Sequence, residues 1–272
     1  MTEPHLHATE RDDPRRFSTV WVFFAITLAI STAVVYVIGN VLDNTDGTIL
    51  AVLVPSTVAI ALTARATGRA GVRSLLRLRG QGPVSARLLL FAALTVPVLA
   101  LVAVAVGSVI TGDTYDFDMP SEGLFILLPL LIVVVGEEYG WRGFALPRLQ
   151  GRYSALISAL IVGGVWWVWH YPPSLIETGV PLDTPFWLFG LFVFAASVLM
   201  TSLFNASRGS VGLVMLFHLA SNAAFVFLPL LPENRSGELT TFSIFVALLL
   251  TASVAVVVAR GPASLANQPQ AT

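Results

Sequence analysis

The sequence predicts an all-α protein, a polytopic transmembrane helix bundle of about eight spans. Three observations carry that expectation. Of the 272 residues, 56% are hydrophobic and only 11% charged; mean hydropathy is +0.81; and the apolar residues fall in long runs, not in the alternating ~10-residue segments of a membrane β-barrel. A soluble domain carries about 25% charged residues, and one of this length has no interior large enough for so much apolar surface. The same excess excludes a disordered chain. With no cysteine, disulfide scaffolds, thiol nucleophiles and cysteine zinc sites are excluded. A formal net charge of −1 gives no electrostatic basis for nucleic-acid binding.

A spanning helix needs about 20 apolar residues. The stretches that meet this need are 17–42, 48–66, 86–110, 123–144, 155–170, 185–204, 211–230 and 240–259. The first is too long for the ~7–15-residue core of a cleaved signal peptide and ends without a cleavage site, so it reads as a retained helix. The fifth is the shortest. Together they define a helical membrane domain over 17–260, flanked by polar tails at 1–16 and 261–272. No fixed-period repeat appears, and no matched pair of broken helices marks a transporter.

Orientation rests on arginine alone, because the chain has no lysine. Positive residues near spans stay cytoplasmic. With eight spans, Arg11, Arg15, Arg16, Arg65, Arg69, Arg73, Arg77, Arg79, Arg87, Arg142, Arg148, Arg152, Arg208 and Arg260 all fall on one side, and only Arg235 on the other. The opposite connections carry Asp43, Asp46, Asp113, Asp116, Asp118, Glu122, Glu177, Asp183, Glu233 and Glu238. Both termini are therefore expected in the cytoplasm. The arginine-rich stretch 65–87, with Val72, Leu75, Leu76 and Leu78, reads as an interfacial amphipathic segment anchored on anionic lipid.

Ionisable residues inside spans are costly and are functional candidates by default. Here they are few. Glu137 and Glu138 interrupt span 4, His170 closes span 5, and His218 lies in span 7 with Asn222 four residues on. Helical spacing puts Glu138 with Arg142, Trp166 with His170, and His218 with Asn222, each at i,i+4. Glu137 and Glu138 point about 100° apart, so one can face a cavity while the other pairs with Arg142. Glu138 and His170 lie at equal depth if the turn between spans 4 and 5 is centred near Ser154. His218 then lies about 12 Å into span 7 from the same side. Taken singly, the Glu–Arg pair also reads as a buried structural ion pair, His170 as an interfacial anchor, His218 with Asn222 as interhelical polar glue, and Trp167 and Trp169 as an aromatic belt. Their convergence at one level favours a site.

A carboxylate, two imidazoles and an amide suit hydrolysis. A glutamate shielded from bulk water serves as a general base toward a water molecule, and a histidine shares that role or protonates the leaving amine. Asn222 and the other histidine suit an oxyanion. The same donors also suit a Zn²⁺ ion with an open position, with His170 and His218 as its ligands. No organic cofactor is implied. Other hydrolase signatures (H-E-x-x-H, G-x-S-x-G, G-x-G-D) are absent.

The run Glu137-Glu138-Tyr139-Gly140-Trp141-Arg142, then Trp166-x-x-x-His170, then His218-x-x-x-Asn222, resembles the E-E-x-x-x-R, F-x-x-x-H and H-x-x-x-N/D motifs of the CAAX prenyl protease and bacteriocin-processing (CPBP, abortive-infection) family. Each motif is weak alone; three in order on separate spans are specific. The resemblance covers roughly 120–230, and Trp166 replaces the commoner Phe. It implies an intramembrane endopeptidase acting on a membrane-associated peptide or protein. By that likeness Glu137 and Glu138 include the water-activating carboxylate, His170 assists, His218 and Asn222 bind metal or oxyanion, and Arg142 and Trp166 support the site. Eukaryotic relatives trim prenylated proteins, and bacterial ones are linked to bacteriocin maturation or self-immunity. The lack of lysine and wealth of alanine, arginine and valine point to a GC-rich bacterial genome, where prenylated substrates are not expected. A non-catalytic scaffold or immunity protein, and a transporter using the Glu and His groups as a relay, are the competing readings.

Overall fold

The computed structural model describes residues 14–81, 84–112, 114, 115, 117, 123–181, 183–231 and 239–266. All regular structure among them is helical. The orientation signals at Arg11, Asp113, Asp116, Asp118, Glu122, Glu233, Arg235 and Glu238 lie outside the described residues, as do 1–13 and 267–272.

The chain runs α1 (Pro14–Val35), a π-helical turn (Tyr36–Val41), a 3-10 segment (Asp46–Leu53), α2 (Val54–Leu75), α3 (Ala86–Thr111) and a 3-10 turn (Gly123–Ile126). It continues through α4 (Leu127–Glu138), a π-helical segment (Tyr139–Ala145), α5 (Leu146–Gln150), α6 (Ala155–Trp169), a single turn α7 (Tyr171–Ser174), α8 (Phe186–Ala206), α9 (Val211–Phe227) and α10 (Leu239–Arg260). Among the described residues, seven continuous rods are long and apolar enough to cross a membrane. This is a multi-pass membrane protein.

The eighth expected span is α9, and it is shorter than expected. Its 17 residues cover about 25 Å at 1.5 Å per residue, short of the ~30 Å hydrocarbon core. The helix stops because Leu228 precedes Pro229 and turns extended, at φ −111° and ψ 148°. The second span also differs. The helix runs past the expected end at 66 and breaks at Gly68, whose φ of 65° and ψ of −159° are open to glycine. The helical stretch 69–75 beyond that kink covers part of the expected amphipathic segment.

Helix α8 is the central rod: 78% of its apolar stretch is buried, against 28–44% for the other six rods. It packs on α6, α9 and α10, while α3 closes over α9 and α10. The π turn and α4 lie against α2. There Gly136 and Gly140 come so close to the start of α2 that a Cβ would fall 2.5 Å from the Val52 carbonyl oxygen and 2.7 Å from Pro55. Small residues four apart let two membrane helices meet backbone to backbone. Ser56 Oγ adds a hydrogen bond to the Val135 carbonyl at 2.8 Å. Glu137 and Glu138, between those two glycines in sequence, are both buried. Helix α1 seals this region, with Phe23 packed on Trp141 and Phe144 at ring distances of 5.7 and 5.0 Å.

The stretch after α10, expected to be part of a polar tail, folds back. The N–H groups of Ala155 and Leu156, at the start of α6, donate to the carbonyls of Ala263 (2.9 Å) and Pro262 (3.0 Å). Ser202 Oγ and Asn205 Nδ2 donate to the carbonyls of Leu265 and Ser264, both at 2.7 Å. Leu265 is fully buried. The first N–H groups of a helix have no partner inside it, and residues 261–266 supply some of those acceptors.

Candidate active site

The site begins where α4 ends. Glu137 and Glu138 are its last two residues, and the chain then widens into the π turn at Tyr139–Ala145. Such turns occur within helices at functional sites. The widening keeps two i,i+4 contacts. Trp141 Nε1 donates to Glu137 Oε2 at 3.3 Å. Arg142 Nη1 donates to Glu138, at 2.8 Å to Oε1 and 3.1 Å to Oε2. Glu138 and Arg142 are both completely buried.

The turn between α5 and α6 occupies 151–154, with Ser154 capping α6 by accepting from the Ile157 N–H. Ser154, expected at the centre of this turn, is its last residue. Trp166, on the far half of α6, is the hub of the cluster. Its Nε1 donates to Glu137 Oε2 at 2.7 Å, its ring lies 5.2 Å from His218 and 5.8 Å from His170, and the Arg142 guanidinium stands 4.4 Å over it. His170 Nδ1 donates to the Trp166 carbonyl at 2.7 Å. His218, from α9, places Nδ1 2.8 Å from Glu138 Oε1. Trp166, His170, His218 and Asn222 line a cavity of about 310 Å³ between α6, α8 and α9.

The structure thus brings Glu137, Glu138, Arg142, Trp166, His170 and His218 into one connected cluster, with Asn222 on the same cavity. The division of labour between the glutamates is specific. Glu138 has both oxygens taken by Arg142 and one also by His218, so it is the ion-pair partner. Glu137 takes two indole N–H groups on Oε2 alone, and Oε1 has no hydrogen-bond partner among the described residues. Neither carboxylate lines the cavity itself; they stand behind Trp166 and His218.

Three features escape the sequence. Trp169 is not a belt residue: it is buried, packed on Trp141 at 6.1 Å and His170 at 4.9 Å. Trp167 is half-buried and donates to the Phe186 carbonyl at 3.0 Å. Ser221, three residues after His218, lines the cavity with its buried Oγ unpartnered among the described residues. The only signal for Trp141 was its i,i+4 distance from Glu137, with an indole N–H that needs an acceptor in an apolar setting.

His170 and His218 are the imidazoles a Zn²⁺ ion would use. Among the described residues, however, no three His, Asp or Glu side chains form a metal-ligand group. His218 Nδ1 is engaged by Glu138 and His170 Nδ1 by a carbonyl, leaving one nitrogen on each ring. As placed, these side chains do not build a three-ligand zinc site.

A buried Glu–Arg–His cluster beside a cavity, in a multi-pass helical protein, is the arrangement of an intramembrane polar site. Residues 120–224 match the family described as Rce1-like, type II CAAX prenyl endopeptidase Rce1-like. The CAAX prenyl protease 2 of Methanococcus maripaludis is 28% identical over 112 residues, which are 39% of this chain and 41% of the relative. The match therefore spans less than half of the relative's length. The matched segment, 120–224, is the part of the chain that carries the three motifs.

Proposed function

We propose that the protein is an intramembrane endopeptidase that hydrolyses a peptide bond of a membrane-associated protein by attack of water. The observation that carries this reading is the single connected cluster in which Glu137 and His170 meet on Trp166 while His218 and Asn222 line the adjoining cavity. The names of the matched family and relative support the same reaction class.

Glu137 is the general base. One of its oxygens is fixed by two indoles, and the other, free of hydrogen bonds among the described residues, is reached by a water that passes from the cavity between Trp166 and His218. It takes a proton as the water oxygen bonds to the scissile carbonyl carbon. His170, its ring held through Nδ1, orients that water through Nε2. His218 and the Asn222 amide stabilise the oxyanion, an interaction worth about 10²–10³ in rate per donor in other enzymes. The C–N bond then breaks, and the amine leaves with the proton taken from water. Glu138 and Arg142 hold His218 and the π turn in place. No step uses a metal.

The test is cleavage in proteoliposomes of internally quenched peptides tethered to the bilayer, one by a prenyl group and one by an acyl chain. Wild type should cleave at least one, and Glu137→Gln neither. Equal cleavage by a folded Glu137→Gln variant would overturn the reading. Elemental analysis of the same preparation checks the metal-free mechanism: stoichiometric zinc, lost together with activity, would replace it.

A further inference from the structure

A second cavity, of about 1600 Å³, opens at the end of the bundle where α2, α5 and α8 finish. It shares no lining residue with the first. Five guanidinium groups stand on its wall, those of Arg77, Arg79, Arg148, Arg152 and Arg208, and no Asp or Glu among the described residues lines it. Much of the remaining wall is apolar, including Leu62, Leu75, Phe144 and Phe204.

Three of these arginines are held together by a built strap. The Gln81 N–H donates to the Arg208 carbonyl at 3.0 Å, the Gly212 N–H to the Leu78 carbonyl at 2.8 Å, and Ser210 Oγ to the same carbonyl at 2.9 Å. Gly80 is pressed against the Ser207 and Arg208 carbonyls, where no Cβ fits. Arg208 adopts φ 53°, a left-handed conformation that residues bearing a side chain rarely adopt. That conformation persists because the strap holds it. The segment 76–81 and the turn 207–212, over a hundred residues apart, thus set three arginines on the wall of one cavity.

Charges that only set topology would need no such convergence; Arg69, Arg73 and Arg87 carry the same sign outside this cavity. We infer that the cavity binds an anionic phospholipid, its phosphate headgroup among Arg77, Arg79 and Arg208 and its acyl chains on the apolar wall. Planar guanidinium forks match phosphate oxygens two at a time, and the apolar wall favours a lipid over a free phosphate of the same chemistry.

The test uses the full chain in mixed micelles of phosphatidylglycerol and phosphatidylcholine, with bound lipid counted by native mass spectrometry. Wild type should retain phosphatidylglycerol in preference by about tenfold or more. The triple substitution R77Q/R79Q/R208Q should bring that preference to within about twofold, while R69Q/R73Q/R87Q, the same change of charge outside the cavity, leaves it intact. Equal loss in both triples would mean surface attraction alone and would overturn the site. So would full retention in the first triple. Displacement of the lipid by inorganic phosphate at equal concentration would move the ligand from lipid to free phosphate and overturn the lipid assignment. If the first triple does not fold, the single variants R77Q and R79Q, both on an exposed segment, carry the same test with about threefold losses each.

Discussion

Oε1 of Glu138 stands 2.8 Å from Nδ1 of His218, a partner 80 residues further along the chain, and 2.8 Å from Nη1 of Arg142. One oxygen atom thus ties α4, the π turn and α9 together at the depth of the cavity. Glu137, its neighbour in sequence, bears no such pairing and is held by indoles alone. Adjacent glutamates therefore should fail differently when altered.

Glu138→Gln keeps the shape and removes the charge, which leaves the fully buried Arg142 without a counter-ion. Breaking a buried ion pair from one side costs roughly 3–5 kcal/mol. The expected outcome is a large fall in the thermal midpoint of the detergent-solubilised protein, or failure to fold. A midpoint equal to wild type would contradict the structural role.

Glu137→Gln preserves an acceptor for both indoles, so stability should change by less than ~1 kcal/mol. Proteolysis should fall by about 10²–10⁴, the usual contribution of a general base. Thermal melting and peptide cleavage on one preparation separate the two effects.

Trp166→Phe removes the 2.7 Å hydrogen bond to Glu137 but keeps an aromatic ring beside both histidines. Glu137 retains Trp141. The variant should lose about 1 kcal/mol of stability and keep cleavage within about tenfold of wild type. Loss of cleavage as deep as that of Glu137→Gln would assign the indole a direct part in the reaction.

Gly140→Ala would set a Cβ 2.7 Å from the Pro55 backbone, where nothing can swing away. Such overpacking costs about 1–3 kcal/mol, and because the contact fixes α4 against α2, cleavage should fall with it. Gly164→Ala is the control: its nearest neighbour, Phe194 Cζ, is 3.6 Å away. Equal melting of the two variants would show that the α2–α4 contact sets nothing.

The spans were legible because lipid imposes length and apolarity on any helix that crosses it. The i,i+4 pairs Glu138–Arg142 and Trp166–His170 were legible because helix geometry alone dictates them. The contact of Trp166 with Glu137, 29 residues apart, was not; it depends on how α6 crosses α4, which no spacing encodes. The π turn at Tyr139–Ala145 escaped for a related reason: one additional residue in a turn leaves hydropathy unchanged while rotating everything beyond it. Trp169 looked like a belt residue because a tryptophan near a helix end has that composition whichever way it faces. The fold-back at 261–266 was hidden because it acts through backbone carbonyls, which every residue carries and no side-chain pattern announces.

That fold-back has a practical consequence. Helix α6 hangs from the carbonyls of Pro262 and Ala263 by its first turn, and it carries Trp166 and His170 at its other end. A shortened chain halted after Arg260 would let this suspension slacken, so both rings would drift from their setting although neither had been edited. An epitope tag spliced in just after Arg260 should silence the protein from a distance of a full helix.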